Sequence, residues 1–255
     1  MKQEKFRIIS NIGLTTDVFQ MVLSRNCHST ENDIKCGQFV NILIDSLYLR
    51  RPISVCDYDN NILTLVYKVV GKGTAVMSKM QPNEELDLLI GLGNGYNTSK
   101  SGNHPLLIGG GVGIPPMYML CKELLKQGKK PTVILGFNKA EEIFYEKEFL
   151  TLSKDVTITT VDGSYGTKGF VTNAIKELTQ EGKQFTHFYT CGPEPMLKAI
   201  YNSTALNNVD GQFSFEERMG CGFGACMGCS CKTITGNKRI CKEGPVLEKN
   251  EILWR

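Results

Sequence analysis

Four cysteines near the end of the chain restrict its fold more than any other feature. Cys221, Cys226 and Cys229 stand in the run C-G-F-G-A-C-M-G-C, and Cys241 follows after eleven further residues. A C-x4-C-x2-C run with a distant fourth cysteine is the ligand spacing of a plant-type 2Fe–2S cluster. Gly220, Gly222, Gly224 and Gly228 lie among these thiols. Glycine reaches backbone conformations closed to other residues, so such a loop can wrap an inorganic core and turn its N–H groups to the sulfurs. Structural zinc normally shows two C-x2–4-C knuckles, and here only Cys226 and Cys229 form one. Cys231 is an extra thiol two residues past Cys229. It reads as a bystander, the alternative being a shifted ligand set. A 2Fe–2S centre moves one electron at a time, so a chain built around one handles electrons.

Composition narrows the setting. The 255 residues suffice for two compact domains and an appendage. Hydrophobic and charged contents of 41% and 22% are ordinary for a soluble globular protein. A net charge of +3 with both signs scattered leaves no footprint for nucleic acid. The polar N-terminus lacks a signal-peptide core, and no apolar run approaches a membrane span. Outside the cluster set, Cys27, Cys36, Cys56, Cys121, Cys191 and Cys231 follow no disulfide framework. A cytoplasmic protein with reduced, buried thiols is expected.

The first hundred residues predict an antiparallel β-barrel. Short β-rich runs at 19–23, 39–44 and 62–70 are separated by turn signals at 11–13, 36–37 and 57–61. One short helix is expected over 74–80, stopped by Pro82. Two stretches in this region carry chemistry. In R-P-I-S, Arg51 offers a planar fork of donors suited to phosphate, Pro52 fixes the backbone and Ser54 supplies a hydroxyl. G-K-G-T at 71–74 stands at a helix start, a natural anion site. Each alone is an ordinary strand start or capped turn; together they suggest a pyrophosphate held between them.

A polar linker at 97–103 precedes alternating strand and helix patterns, which predict a parallel-sheet nucleotide-binding domain. G-G-G-V-G-I-P-P at 109–116 reads as a glycine turn leading to a helix that ends near Gln127, with Gly128 as its cap. Strands are expected at 132–136, 156–161 and 186–190, and helices over 171–181 and from Glu194, after C-G-P at 191–193. The glycine turn does not fit G-x-G-x-x-G, so by itself it is equally a tight strand–helix connection. The plan is a barrel over 1–98, an α/β domain over 99–212 and a cluster-binding segment over 213–255.

The order of these parts resembles the ferredoxin–NADP reductase superfamily, whose members pair an FAD barrel with a nicotinamide-nucleotide domain. With its C-terminal 2Fe–2S segment, the chain resembles the electron-transfer subunits of type-B dihydroorotate dehydrogenases. The strongest local match is E-E-R-M-G-C-G-F-G-A-C-M-G-C-S-C at 216–231, closed by R-I-C-K-E-G-P at 239–245. The likeness covers nearly the whole chain. It implies that Arg51, Pro52, Ile53, Ser54, Val66, Tyr67, Lys68, Gly73 and Thr74 contact FAD. It implies that Gly110, Gly111 and Gly113, with Cys191, Gly192 and Pro193, face the nicotinamide nucleotide, and that the four cysteines hold the cluster. One departure is I-G-L-G-N-G at 90–95, where the family would have Gly-Pro before Leu92.

Relatives that use NADP tend to carry Ser and Arg after the second main strand, where this chain has Val161 and Asp162. A carboxylate accepts from a ribose diol and repels a phosphate, which points to NAD; alternatively Asp162 only starts an Asp-Gly turn. No acid–base pair suits an organic substrate, and His28, His104 and His187 read as structural. The resemblance therefore implies half of an enzyme. A partner subunit with FMN would oxidise dihydroorotate, and electrons would pass by 2Fe–2S and FAD to NAD⁺, two copies of each subunit forming a heterotetramer. Met219, Phe223 and Met227 would suit partner docking or merely shield the cluster. The rival readings are a flavin and iron–sulfur subunit of an NAD(P)H–ferredoxin or sulfur-reducing complex, and a zinc-stabilised nucleotide-binding module.

Overall fold

In the computed structural model, which describes residues 1–26, 34–45 and 47–254, the first six strands close into a barrel. They are β1 (Lys2–Gly13), β2 (Val18–Arg25), β3 (Phe39–Ile42), β4 (Arg51–Asp59), β5 (Ile62–Lys68) and β6 (Glu85–Leu92), with helix α1 (Lys72–Met77) between the last two. The order around the barrel is β1-β2-β5-β4-β3-β6, every pairing antiparallel. Side chains alternate between faces along each strand. Val40 and Ile42 of β3 thus join Phe6, Met21, Leu63 and Leu65 in the barrel core, while Phe39 packs outside it.

The helix expected over 74–80 is displaced toward the N-terminus. Gly71 is its extended N-cap, and Thr74 lies inside the first turn. The Thr74 hydroxyl accepts from the N–H groups of Val70 (3.0 Å) and Gly71 (3.3 Å), so the threonine caps the turn from within the helix.

The second layer system consists of β7 (Pro105–Gly110), α2 (Pro115–Lys126), β8 (Thr132–Phe137), α3 (Glu146–Leu152), β9 (Val156–Thr160), β10 (Thr167–Lys168), α4 (Val171–Gln180), β11 (His187–Cys191), α5 (Glu194–Tyr201) and β12 (Gly211–Ser214). Then follow β13 (Ser230–Thr233) and β14 (Gly236–Arg239), a hairpin, and β15 (Val246–Glu248). The seven-stranded sheet has the order β10-β9-β8-β7-β11-β12-β15, parallel except for β15. Its order reverses between β7 and β11, and ligands of such sheets bind at the strand C-termini at that switch point. Prolines 115 and 116 open α2, and Gly128, at φ +73°, ends it.

Two apolar cores flank this sheet. One joins Leu107, Leu135 and Tyr189 to Met117 and Cys121 of α2, and runs on into Val18, Cys56 and Val66 of the barrel. The second, under α4 and α5, joins Ile108, Ile134 and Phe188 to Cys229, Ile240 and Cys241, and to Phe39 and Leu92 of the barrel. Among the described residues no helix is long and apolar enough to cross a membrane.

Candidate functional site

The cysteine lobe is shaped by backbone that only glycine adopts easily. Gly222 and Gly224 take φ +79° and +93°, while Gly220 and Gly228 lie with their Cα faces toward Cys226 Sγ. The resulting turns aim N–H groups at sulfur. Ala225 and Cys226 donate to Cys221 Sγ at 3.2 and 3.4 Å, Gly228 to Cys226 Sγ at 3.5 Å, and Cys241 to Cys229 Sγ at 3.4 Å. Burial opposes ionisation of Cys221, but the N–H groups of Phe223, Cys226 and Ala225 outweigh it and bring the thiol down to about 6. Burial, with the adjoining Cys229 sulfur, pushes the Cys241 thiol up to about 12. Arg239 braces the loop from the hairpin: its Nη1 donates to the Gly224 carbonyl at 2.6 Å, and its guanidinium pairs with Glu243.

Backbone hydrogen bonds link the ligand residues in two pairs, Cys226 N–H to Cys221 Sγ and Cys241 N–H to Cys229 Sγ. A cluster of two irons takes two thiolates on each iron, and this donor set fits it. Cys231 faces elsewhere, into a cavity of about 310 Å³ shared with Glu217, Phe215 and Trp254.

The two barrel motifs come together. A Cβ on Gly73 would lie 2.1 Å from Arg51 Nε, so the glycine leaves the arginine its place across the start of α1. The Arg51 guanidinium donates to the Leu49 carbonyl, and no carboxylate among the described residues pairs with it. An unpaired fork beside a short glycine turn fits a phosphate. Pro52 and Ser54 pair across the ladder with Asn41 and Phe39. Ile53 packs against the barrel core and Val66 against the core shared with the sheet. Lys68 pairs with Asp17 at 3.0 Å. Tyr67 points into the barrel, where its hydroxyl donates to Asn11 Oδ1 at 2.9 Å.

The glycine turn and the C-G-P run also meet, at the switch point. Cys191 lies opposite Gly109 in the ladder, and a Cβ on Gly113 would lie 2.3 Å from the Cys191 carbonyl oxygen. Gly110 and Gly192 pack against Met196, whereas Gly111, at φ +52°, faces open space. Pro193 caps α5. Asp162 follows β9, two strands from β7 and so roughly 10 Å along the sheet edge. Its carboxylate accepts from the Ser164 hydroxyl (2.6 Å) and N–H (2.9 Å), which hold it below its ordinary range.

The remaining thiols and histidines stand apart from this chemistry. Cys36, Cys56 and Cys121 are buried and free, burial pushing Cys36 and Cys121 up to about 12 and Cys56 higher. His187 is buried against Tyr189, and His104 is exposed; Cys27 and His28 lie outside the described residues. A cavity of about 780 Å³ at the opposite edge of the sheet is lined by Lys129, Lys130, Lys154 and Lys183. These cations stand near the C-termini of α2, α3 and α4, where they complement the helix dipoles.

Asn41 and Asn94 were missed by sequence reasoning, and both tie the cysteine lobe to the barrel. Asn41 Nδ2 donates to the Cys221 carbonyl at 3.2 Å. The signal available was a lone polar residue inside the apolar run F-V-N-I-L-I. Asn94 lies in the departing G-N-G sequence; its N–H donates to the Gly244 carbonyl at 2.7 Å and its Nδ2 to the Val246 carbonyl at 2.7 Å.

A closed barrel packed on a parallel nucleotide-binding sheet, with a cysteine lobe at their junction, defines an electron-transfer protein of the ferredoxin–reductase type. Residues 216–253 match the iron–sulfur cluster binding domain of dihydroorotate dehydrogenase B, and residues 107–202 match the oxidoreductase NAD-binding domain. The chain is 41% identical over 263 residues to a Geobacillus protein called dihydroorotate dehydrogenase B (NAD(+)), electron transfer subunit, with 99% of each chain covered. It is 40% identical over 266 residues to the protein of that name from Fusobacterium nucleatum, again with 99% of each covered. A solved NADH-dependent reduced ferredoxin–NADP oxidoreductase, described for flavin-based electron bifurcation, superimposes with a TM-score of 0.87 at 30% identity, covering 98% of this chain and 90% of that one. A Neisseria gonorrhoeae ferredoxin NADP⁺ reductase with bound FAD and NADP shares the fold alone, with a TM-score of 0.67 at 18% identity over 80% of this chain and 90% of the other. The chain belongs to the family of electron-transfer subunits of dihydroorotate dehydrogenase B.

Proposed function

We propose that this chain is the NAD⁺-reducing half of a dihydroorotate dehydrogenase, carrying electrons from a partner subunit to NAD⁺ in pyrimidine biosynthesis. The observation that carries this reading is the set of four thiols at the junction of a barrel and a nucleotide-binding sheet. When bound, FAD exchanges electron pairs with nicotinamide and single electrons with a 2Fe–2S cluster, a conversion that neither neighbour performs alone.

The residues divide the work. Cys221, Cys226, Cys229 and Cys241 hold the iron, and the N–H groups aimed at their sulfurs favour thiolate. Arg51 binds the flavin pyrophosphate beside Gly73, with Pro52, Ile53, Ser54 and Thr74, and the β5 segment Val66, Tyr67 and Lys68, along the rest of FAD. Gly110, Gly111 and Gly113, with Cys191, Gly192 and Pro193, receive the nicotinamide end of NAD, and Asp162 accepts from the adenosine ribose. The domains divide at 98 and 212. The partner is an FMN-containing subunit that oxidises dihydroorotate, two of each subunit assembling in the cytoplasm.

Anaerobic purification with quantified iron, sulfide, zinc and flavin tests the cofactors: about two irons and one FAD per chain are expected. Cys226→Ser should remove the cluster absorption and leave FAD bound. Zinc without flavin would overturn the reading. Mixing the chain with an FMN-containing dihydroorotate-oxidising subunit should then give NADH formation that depends on dihydroorotate. The likeness to the NADH-dependent ferredoxin–NADP oxidoreductase favours a second reading, a subunit that exchanges electrons with ferredoxin. Ferredoxin reduction by NADH without any response to dihydroorotate would select it.

A further inference from the structure

The outer face of β3 is where the barrel meets the cysteine lobe. Phe39 packs in one apolar core with Cys229, Ile240 and Cys241. Asn41, two residues on and so on the same face, is 1% exposed. Its Nδ2 donates to the carbonyl of Cys221 at 3.2 Å. The next residue, Gly222, sits at φ +79°, and a Cβ there would lie 2.3 Å from that same Nδ2. The ligand loop is therefore pressed onto the carboxamide, and glycine is what permits the contact.

The other end of Asn41 is fixed to the flavin side. It stands opposite Pro52 in the ladder, between the Phe39–Ser54 and Ile42–Arg51 pairs. Its carbonyl accepts from Arg50 Nη1 at 3.2 Å, and Arg50 also donates to the Asp87 carbonyl at 3.0 Å and pairs with the Asp87 carboxylate at 2.6 Å. Asn41 Oδ1 is buried and has no partner among the described residues. An unsatisfied buried acceptor is destabilising, a penalty that an apolar residue at this position would not carry.

We propose that Asn41 is a positioning residue for the iron–sulfur cluster, holding its first ligand loop in a set place on the flavin barrel and tuning its reduction. This rests on the reading of a 2Fe–2S lobe and an FAD barrel given above. A buried amide beside the first ligand fixes the Cys221–Gly222 backbone, whose neighbouring N–H groups at 225 and 226 serve the Cys221 sulfur. Hydrogen bonds to sulfur and local charge both set cluster potentials. Asn94 makes the matching attachment just after the fourth ligand, and of these two asparagines it is Asn41 that bonds a ligand residue itself.

The test compares Asn41→Asp and Asn41→Ala with the wild-type chain, purified anaerobically with FAD and iron–sulfur bound. Iron and FAD contents, the low-temperature EPR spectrum of the reduced cluster and its midpoint potential are measured. Asn41→Asp replaces the donor by a carboxylate facing the Cys221 carbonyl. It should keep FAD and its potential while making the cluster harder to reduce and altering its EPR spectrum. Asn41→Ala removes the donor without adding charge. It should keep FAD and release iron to a chelator roughly threefold to tenfold faster, the scale of one neutral hydrogen bond. Wild-type EPR, potential and iron release in Asn41→Ala would overturn the proposal, whether or not Asn41→Asp folds. If the wild-type chain itself holds no iron or FAD, the functional reading fails first, and the two failures are thereby distinct.

Discussion

Single residues here are read through their charge. His187 is buried, its Nε2 has no partner among the described residues, and burial lowers its pKa to about 4. In the unfolded chain a histidine takes up a proton near pH 6.5. Between about pH 6.5 and 4 the unfolded state therefore binds more protons, and stability falls as acid is added, by up to about 3 kcal/mol. His187→Gln, which does not titrate, should flatten that part of the curve of unfolding free energy against pH; parallel curves for the two proteins would rule the histidine out. Asp162 is an exposed carboxylate held ionised by Ser164. Asp162→Ser should improve use of NADP relative to NAD, because it removes a negative charge that would repel the 2′-phosphate. An unchanged ratio of kcat/KM values would remove Asp162 from nucleotide choice. At this scale the sequence was readable where a residue type is rare and its spacing rigid, as with the four cysteines. It was silent on Asn41, because a buried amide is recognised by what it touches, and its partner Cys221 is 180 residues away.

Elements were legible in proportion to their local signals. Pro115 and Gly128 marked both ends of α2. The start of α1 was misplaced because Thr74, a residue that commonly stands at an N-cap, here caps from the third helical position. The strands β12 and β15 carry little periodicity in four and three residues, and they exist because each finds a partner in a sheet already formed. The contact between the glycine turn and the C-G-P turn was visible in sequence only as two motifs, and the β7–β11 ladder is what brings them together. Gly113→Ala would drive a methyl group into the Cys191 carbonyl and the Gly192 nitrogen, both backbone atoms that cannot swing aside. A loss of about 1–3 kcal/mol is expected, with weaker NADH binding and with FAD and cluster retained. Wild-type denaturation and NADH affinity in this variant would show that the turn tolerates a side chain.

For the molecule as a whole, the two cores decide how it comes apart. Barrel residues contribute to both, and the core beneath α4 and α5 includes two of the four cluster thiols, Cys229 and Cys241. Removing iron by chelation should therefore weaken the sheet and the barrel together. A fall of the thermal midpoint on the order of 5 °C, followed by far-UV circular dichroism, is expected for a loss of about 2 kcal/mol in a chain of this size. A midpoint that stays put would mean that the lobe is energetically separate. The path of the chain through that lobe has a further consequence. It leaves the sheet after Ser214 and returns at Val246, and these two residues face each other in the β12–β15 ladder. The metal-binding excursion thus begins and ends at one point. Its length is decoupled from the register of the sheet, so residues can be added to or removed from the excursion without shifting the β12–β15 pairing.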